Sequence, residues 1–118
     1  MTERTLTLIL QPDWRAALRA AGRKAGASTY QGEVLHFESA SALFGRLTER
    51  RCAIVQALQR RGAMSVRELA RQVQRDVKPL RADVEALTEL GLIERTAGGG
   101  VVCPFASVHI DFELRVGA

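Results

Sequence analysis

Apolar and polar positions alternate near the start of the chain. Leu6, Leu8 and Leu10 fall on one face and Thr5, Thr7 and Ile9 on the other, a period of two that predicts a short strand ended by Gln11 and Pro12. The period then changes. Trp14, Ala17, Leu18 and Ala21 recur at helical spacing opposite Arg15, Arg19 and Arg23, so a helix capped by Asp13 and closed near Gly22 or Gly26 is expected. GEVLHFES returns to alternation as a second strand, and Ser39 or Ser41 can cap a short helix holding Leu43, Phe44 and Leu47.

From Thr48 the pattern is strongly helical, with Ile54, Val55 and Leu58 inward, Arg50, Arg51, Gln59, Arg60 and Arg61 largely outward, and Gly62 as the stop. SVRE, beginning at Ser65, has the spacing of a capping box, in which the Ser65 hydroxyl and the Glu68 carboxylate each satisfy a free backbone amide. Val66, Leu69, Ala70 and Val73 then face inward. After a break at Gln74 and Arg75, a third helix carries the stripe Val77, Leu80, Val84 and Leu87, and turns Lys78, Ala82 and Glu85 outward with Arg81 beside them. Pro79 falls in its first turn, where no intrahelical amide bond is lost, so it marks a helix start with Asp76 as N-cap. Gly91 closes this helix. Leu92 and Ile93 lead into a strand, TAGGG turns, and VVCPF returns to complete a hairpin. SVHIDFELRV alternates throughout, with Val108, Ile110, Phe112, Leu114 and Val116 opposite Ser107, His109, Asp111, Glu113 and Arg115, as in a half-buried strand.

Composition narrows the classes. A chain of 118 residues with 47% hydrophobic and 25% charged residues fits one soluble domain with a modest core. It has no apolar run of membrane-spanning length and no signal-peptide layout at MTERTLTLIL, so a cytoplasmic protein without membrane association is expected. Cys52 and Cys103 lack companions at zinc-ligand spacing, so no metal, cofactor or disulfide framework is expected, and both read as packed, inert thiols. His36 and His109 lie in strand-like stretches and read as structural. Nothing pairs a nucleophile with a base or sets two carboxylates for acid and base work, so an enzyme is not expected. The charge matters once it is located: residues 46–81 hold ten basic against three acidic residues, a net +7 within a chain of net +4. That concentration suits a polyanion, since phosphate contacts supply most non-specific nucleic-acid affinity.

Helix, helix with a small residue at Ala70, tight turn, helix and glycine-tipped hairpin is the order of a winged helix-turn-helix. The expected class is therefore α+β: residues 1–42 form an N-terminal strand-helix-strand support and dimerisation region, residues 43–105 the DNA-binding domain, and residues 106–118 a C-terminal strand. Ser65, Glu68, Leu69, Ala70, Arg75, Asp76, Lys78, Asp83, Val84, Leu87, Leu90, Gly91, Leu92 and Ile93 carry a resemblance to the MarR-like winged-helix regulators of bacteria and archaea. The sequence is most similar to a group of small regulators whose helix-turn-helix runs GRDxKxVxxDVxALxELGLIE, and the resemblance spans residues 43–114. Pro79 and Leu80 depart from that group's pattern, and Pro79 removes one possible base reader.

The resemblance implies that Lys78 and Arg81 contact base edges, Arg geometry suiting guanine O6 and N7, and that Arg75 contacts base or phosphate. It also implies that Ser65, Arg67 and Arg71 bind phosphate, and that Arg95 and Thr96 form the wing contact. Asp83, Glu85 and Glu89 would be repelled by phosphates, so only the first turns of the third helix are expected in the groove; Asp83 can instead orient a neighbouring Arg. The surplus apolar strands and the Trp14 helix point to a homodimer on a near-palindromic operator, acting as a repressor by occlusion. The alternative is an antitoxin that represses its own operon and neutralises a small toxin protein through its terminal strands.

Overall fold

The structure, a computed structural model, describes residues 3–10 and 32–112. The helix expected around Trp14, and Leu114 and Val116 of the expected C-terminal strand, lie outside the described residues. The fold is α+β. The chain divides into two units, one drawn from residues 1–45 and 107–118, the other from residues 46–106.

In the first unit, β1 (Thr5–Leu10) is the central strand of a three-stranded sheet in the order β2-β1-β5, with β2 (Glu33–Phe37) on one side and β5 (Ser107–Asp111) on the other. Both pairings are parallel. Leu8 stands beside Leu35 on one neighbour and Ile110 on the other, and Leu6 beside Glu33 and Val108. The alternation read from sequence therefore sets one face, on which Leu6 and Leu8 are buried. The N- and C-terminal strands, expected as surplus elements, find partners in each other within one chain. A bidentate ion pair joins Arg4 Nε and Nη2 to the Glu33 carboxylate at 3.0 and 2.7 Å. Helix α1 (Ala40–Arg46) follows β2 and is capped by Ser39, whose Oγ accepts from the Ala42 amide at 3.1 Å. Its Phe44 ring meets Phe112 edge to face, with centroids 5.2 Å apart.

The second unit packs three helices and a hairpin. α2 (Glu49–Arg61) begins at Thr48, whose hydroxyl accepts from the Arg51 amide, and ends at Gly62 with φ of 83°. α3 (Val66–Val73) begins at Ser65 and ends at Gln74, which takes the left-handed conformation at φ of 54°. α4 (Val77–Leu90) begins after Asp76 and ends at Gly91, also left-handed. Ile54, Val55, Leu58, Val66, Leu69, Ala70, Leu80, Val84 and Leu87 are buried, as their spacing predicts. Two capping expectations change in detail. Ser65 accepts from the Glu68 amide at 3.1 Å, but the Glu68 carboxylate bonds Arg71 and Gln72 rather than returning to Ser65, so half of the box is realised. Asp76 holds the N-cap position without a side-chain bond.

The hairpin is shorter than expected, with β3 (Glu94–Arg95) antiparallel to β4 (Val101–Val102); Leu92 and Ile93, expected to open the strand, are buried but precede the paired residues. Met64 adds a third rung that the sequence did not signal. Its amide donates to Val101 O at 3.0 Å and its carbonyl accepts from Val101 N at 2.9 Å. Gly100 lies against this rung, and a Cβ there would stand 2.7 Å from Met64 O, whereas one at Gly98 would meet open space. Gly100→Ala is expected to destabilise the chain by about 1–3 kcal/mol and Gly98→Ala by no more than about 0.5 kcal/mol. Urea denaturation of the two variants checks this, and equal losses would contradict the close approach.

Candidate nucleic-acid interface

The helical pattern that buries Leu80, Val84 and Leu87 leaves Lys78 and Arg81 exposed in the first turns of α4. On α3, Val66, Leu69 and Ala70 point inward, so Arg67 and Arg71 are exposed; the Arg71 side chain remains 77% accessible although paired with Glu68. Glu68 is held below the usual carboxylate range, first by the Gln72 hydrogen bond and then by the Arg71 charge. Ser65 sits at the α3 N-terminus, where its hydroxyl and the first-turn amides meet. Arg95 is exposed on β3. The Thr96 side chain is committed to the hairpin, its hydroxyl accepting from the Gly100 amide at 3.0 Å while its own amide donates to Gly100 O. A shallow groove of about 520 Å³ between the end of α2 and the start of α3 is lined by Arg60, Arg61, Ala63, Met64 and Glu68.

Arg75 differs from the others. Its side chain is only 17% accessible, and Nη1 approaches Asp83 Oδ2 to 2.8 Å. The approach is off the N–H axis, so this atom is buried with an ionic partner but without an aligned hydrogen bond. Asp83 Oδ1 accepts from Arg51 Nε at 3.0 Å, and Arg51 Nη1 donates to Arg46 O at 2.7 Å. One carboxylate thus holds α2, the turn after α3, and α4. Sequence reading gave Asp83 an orienting role but placed Arg51 largely outside and Arg75 at the ligand. No local signal could reveal the triad, because Arg51 lies 32 residues from Asp83.

Partial burial acts to raise the Asp83 pKa, and the close Arg75 guanidinium together with the hydrogen bond and charge of Arg51 outweighs it, leaving the carboxyl below its ordinary value. Both cysteines shift the other way. Burial, with Glu49 nearby, pushes the Cys52 thiol up, and burial pushes Cys103 up, so neither is poised as a thiolate at neutral pH. No group of three or more metal-ligating side chains gathers among the described residues. Nor is any helix among them long and apolar enough to cross a membrane.

A family model described as HVO_A0114 matches residues 46–110, more than half of the chain. No curated protein and no solved structure matches it.

Because the Asp83 pKa is depressed on folding, its contribution to stability is present above the unfolded value of about 4 and is lost as pH falls through the folded one. Asp83→Asn is expected to cost about 2–4 kcal/mol at pH 7, where it strands two guanidinium groups, and less near pH 3. Denaturation of both proteins at the two pH values measures the gap; a gap that is absent at pH 7, or wider in acid, would contradict the assignment.

Proposed function

This chain belongs to the HVO_A0114 family through the residues that carry its three packed helices and hairpin, and we propose that residues 46–106 are a winged helix-turn-helix that binds double-stranded DNA as a transcriptional regulator. The observation that carries this reading is the division of α4. One stripe is buried at Leu80, Val84 and Leu87, and the opposite side exposes Lys78 and Arg81 in the first turns. An α-helix fits the major groove, where Arg or Lys donates to guanine O6 and N7. Glu85 and Glu89 follow on the exposed side, so the later turns stay out of the phosphate field.

The other cations take positions suited to backbone contacts. Ser65, Arg67 and Arg71 bring a hydroxyl, helix N-terminal amides and two guanidinium groups to phosphate, and Arg95 on the hairpin reaches the backbone beside them. Thr96 shapes the tip of that hairpin through its bond to Gly100. Arg75 serves as a positioning residue that links the turn to α4 through Asp83, and it leaves direct readout to Lys78 and Arg81. The protein acts as a homodimer on a near-palindromic operator and represses by occlusion.

A mobility-shift titration at about 150 mM salt, comparing the DNA upstream of the chain's own coding sequence with random duplex, tests the reading. Tighter binding to the upstream DNA is expected. Lys78→Ala or Arg81→Ala should lower that preference by about 1–3 kcal/mol, and Arg67→Ala should weaken both complexes alike. Equal affinity of the native chain for the two duplexes would overturn sequence-specific regulation.

A further inference from the structure

We propose that the outer edge of β5 pairs with β5 of a second copy of this chain, antiparallel about a two-fold axis at Ile110, so that His109 of each copy stands opposite Asp111 of the other. The proposal deepens the dimeric part of the reading above and rests on that part alone.

β5 uses one edge for β1, in unbroken register from Ser107 to Asp111. Among the described residues nothing pairs with its other edge, and four of the five residues in β5 are exposed. Sheet edges that remain single are usually blunted by Pro, Lys or a bulge. The segment SVHIDF has no Pro or Lys, and its pairing with β1 has no bulge.

Symmetry restricts the register. Residues opposite each other in an antiparallel pair project from the same face, so a two-fold axis must set one residue of the strand opposite its own copy and pass midway between the two. Centred on His109, the pairing sets histidine against histidine. Centred on Ile110, it sets Ile110 against Ile110, Val108 against Phe112, and His109 against Asp111 twice over, with no like charges opposed. The opposite sheet edge lacks this complementarity. In β2 only His36 is exposed, a centre at Leu35 opposes Glu33 to Phe37, and a centre at His36 opposes the histidine to itself.

The apolar face points to the same edge. Leu8 is fully buried at the centre of the sheet, yet its neighbour Ile110 is 39% exposed, Phe112 is 37% exposed, and Phe44, which rests on Phe112, is 48% exposed. Cover that is complete at β1 is therefore incomplete at β5, where a second sheet would extend the layer across the axis.

Single cysteines placed in a Cys52→Ser, Cys103→Ala background and mildly oxidised without DNA test the register. Ile110→Cys should give a disulfide-linked dimer by itself, whereas His109→Cys should link efficiently only when mixed with Asp111→Cys. Without engineered cysteines, Asp111→Lys should weaken dimerisation roughly tenfold by sedimentation, and adding His109→Glu should restore it. A native chain that is monomeric at micromolar concentration, a dimer linked by none of these cysteines, or His109→Cys linking to itself in preference to Ile110→Cys would each overturn the proposal. Since no DNA is present, loss of operator binding cannot produce any of these outcomes.

Discussion

One carboxylate, that of Asp83, ties together the three elements on which the helical unit depends. Arg51 reaches it from α2 and Arg75 from the turn between α3 and α4, while Asp83 itself sits on α4. Each of the three side chains is less than a quarter accessible, so each has given up most of its water. Removing Asp83 leaves both arginines partly buried and without their carboxylate, which costs far more than losing an exposed surface pair, whereas removing either arginine leaves Asp83 with one partner. The apolar stripes of α2, α3 and α4 hold the helices together without direction. The triad adds direction, because the hydrogen bond from Arg51 Nε to Asp83 forms only over a narrow range of distances and angles, and Arg75 adds a close charge on the same carboxylate. It fixes where α4 starts relative to α2 and thus where Lys78 and Arg81 project.

This arrangement separates two uses of arginine that composition cannot distinguish. Arg51 and Arg75 belong to the same basic stretch as Arg67, Arg71 and Arg81, yet only the latter three keep guanidinium groups exposed. The net charge of +7 over residues 46–81 therefore overstates the cations open to a ligand. Asp83 contributes on both counts: it neutralises part of that charge and keeps two arginines folded against the helices.

The helical part of the fold was legible in the sequence because its signals are local. Thr48, Ser65, Gly62 and Gly91 bound helices within a few residues of their caps, and the spacing of Leu80, Val84 and Leu87 selects the buried side of α4. Glu68 shows where such reasoning stops. Its spacing allows a bond back to Ser65 or forward to Arg71 and Gln72, and the forward donors, one of them charged, win. Met64 gave no strand signal because the two residues between Gly62 and Ser65 are too few to show a period, and its rung with Val101 depends on the hairpin returning beside it. The parallel pairing of β1 with β5 joins segments about a hundred residues apart, and alternation reveals the faces of each strand but not its neighbour.

DNA is proposed to meet the early turns of α4 and the exposed arginines of α3, held in place by the Asp83 triad. Amide chemical-shift mapping during titration with a duplex from the upstream region tests it most directly. The largest changes are expected at Ser65, Arg67, Arg71, Lys78, Arg81 and Arg95, with little change from Glu85 onward in α4. Changes concentrated at Glu85 and Glu89, or on the sheet of β1, β2 and β5 alone, would contradict it.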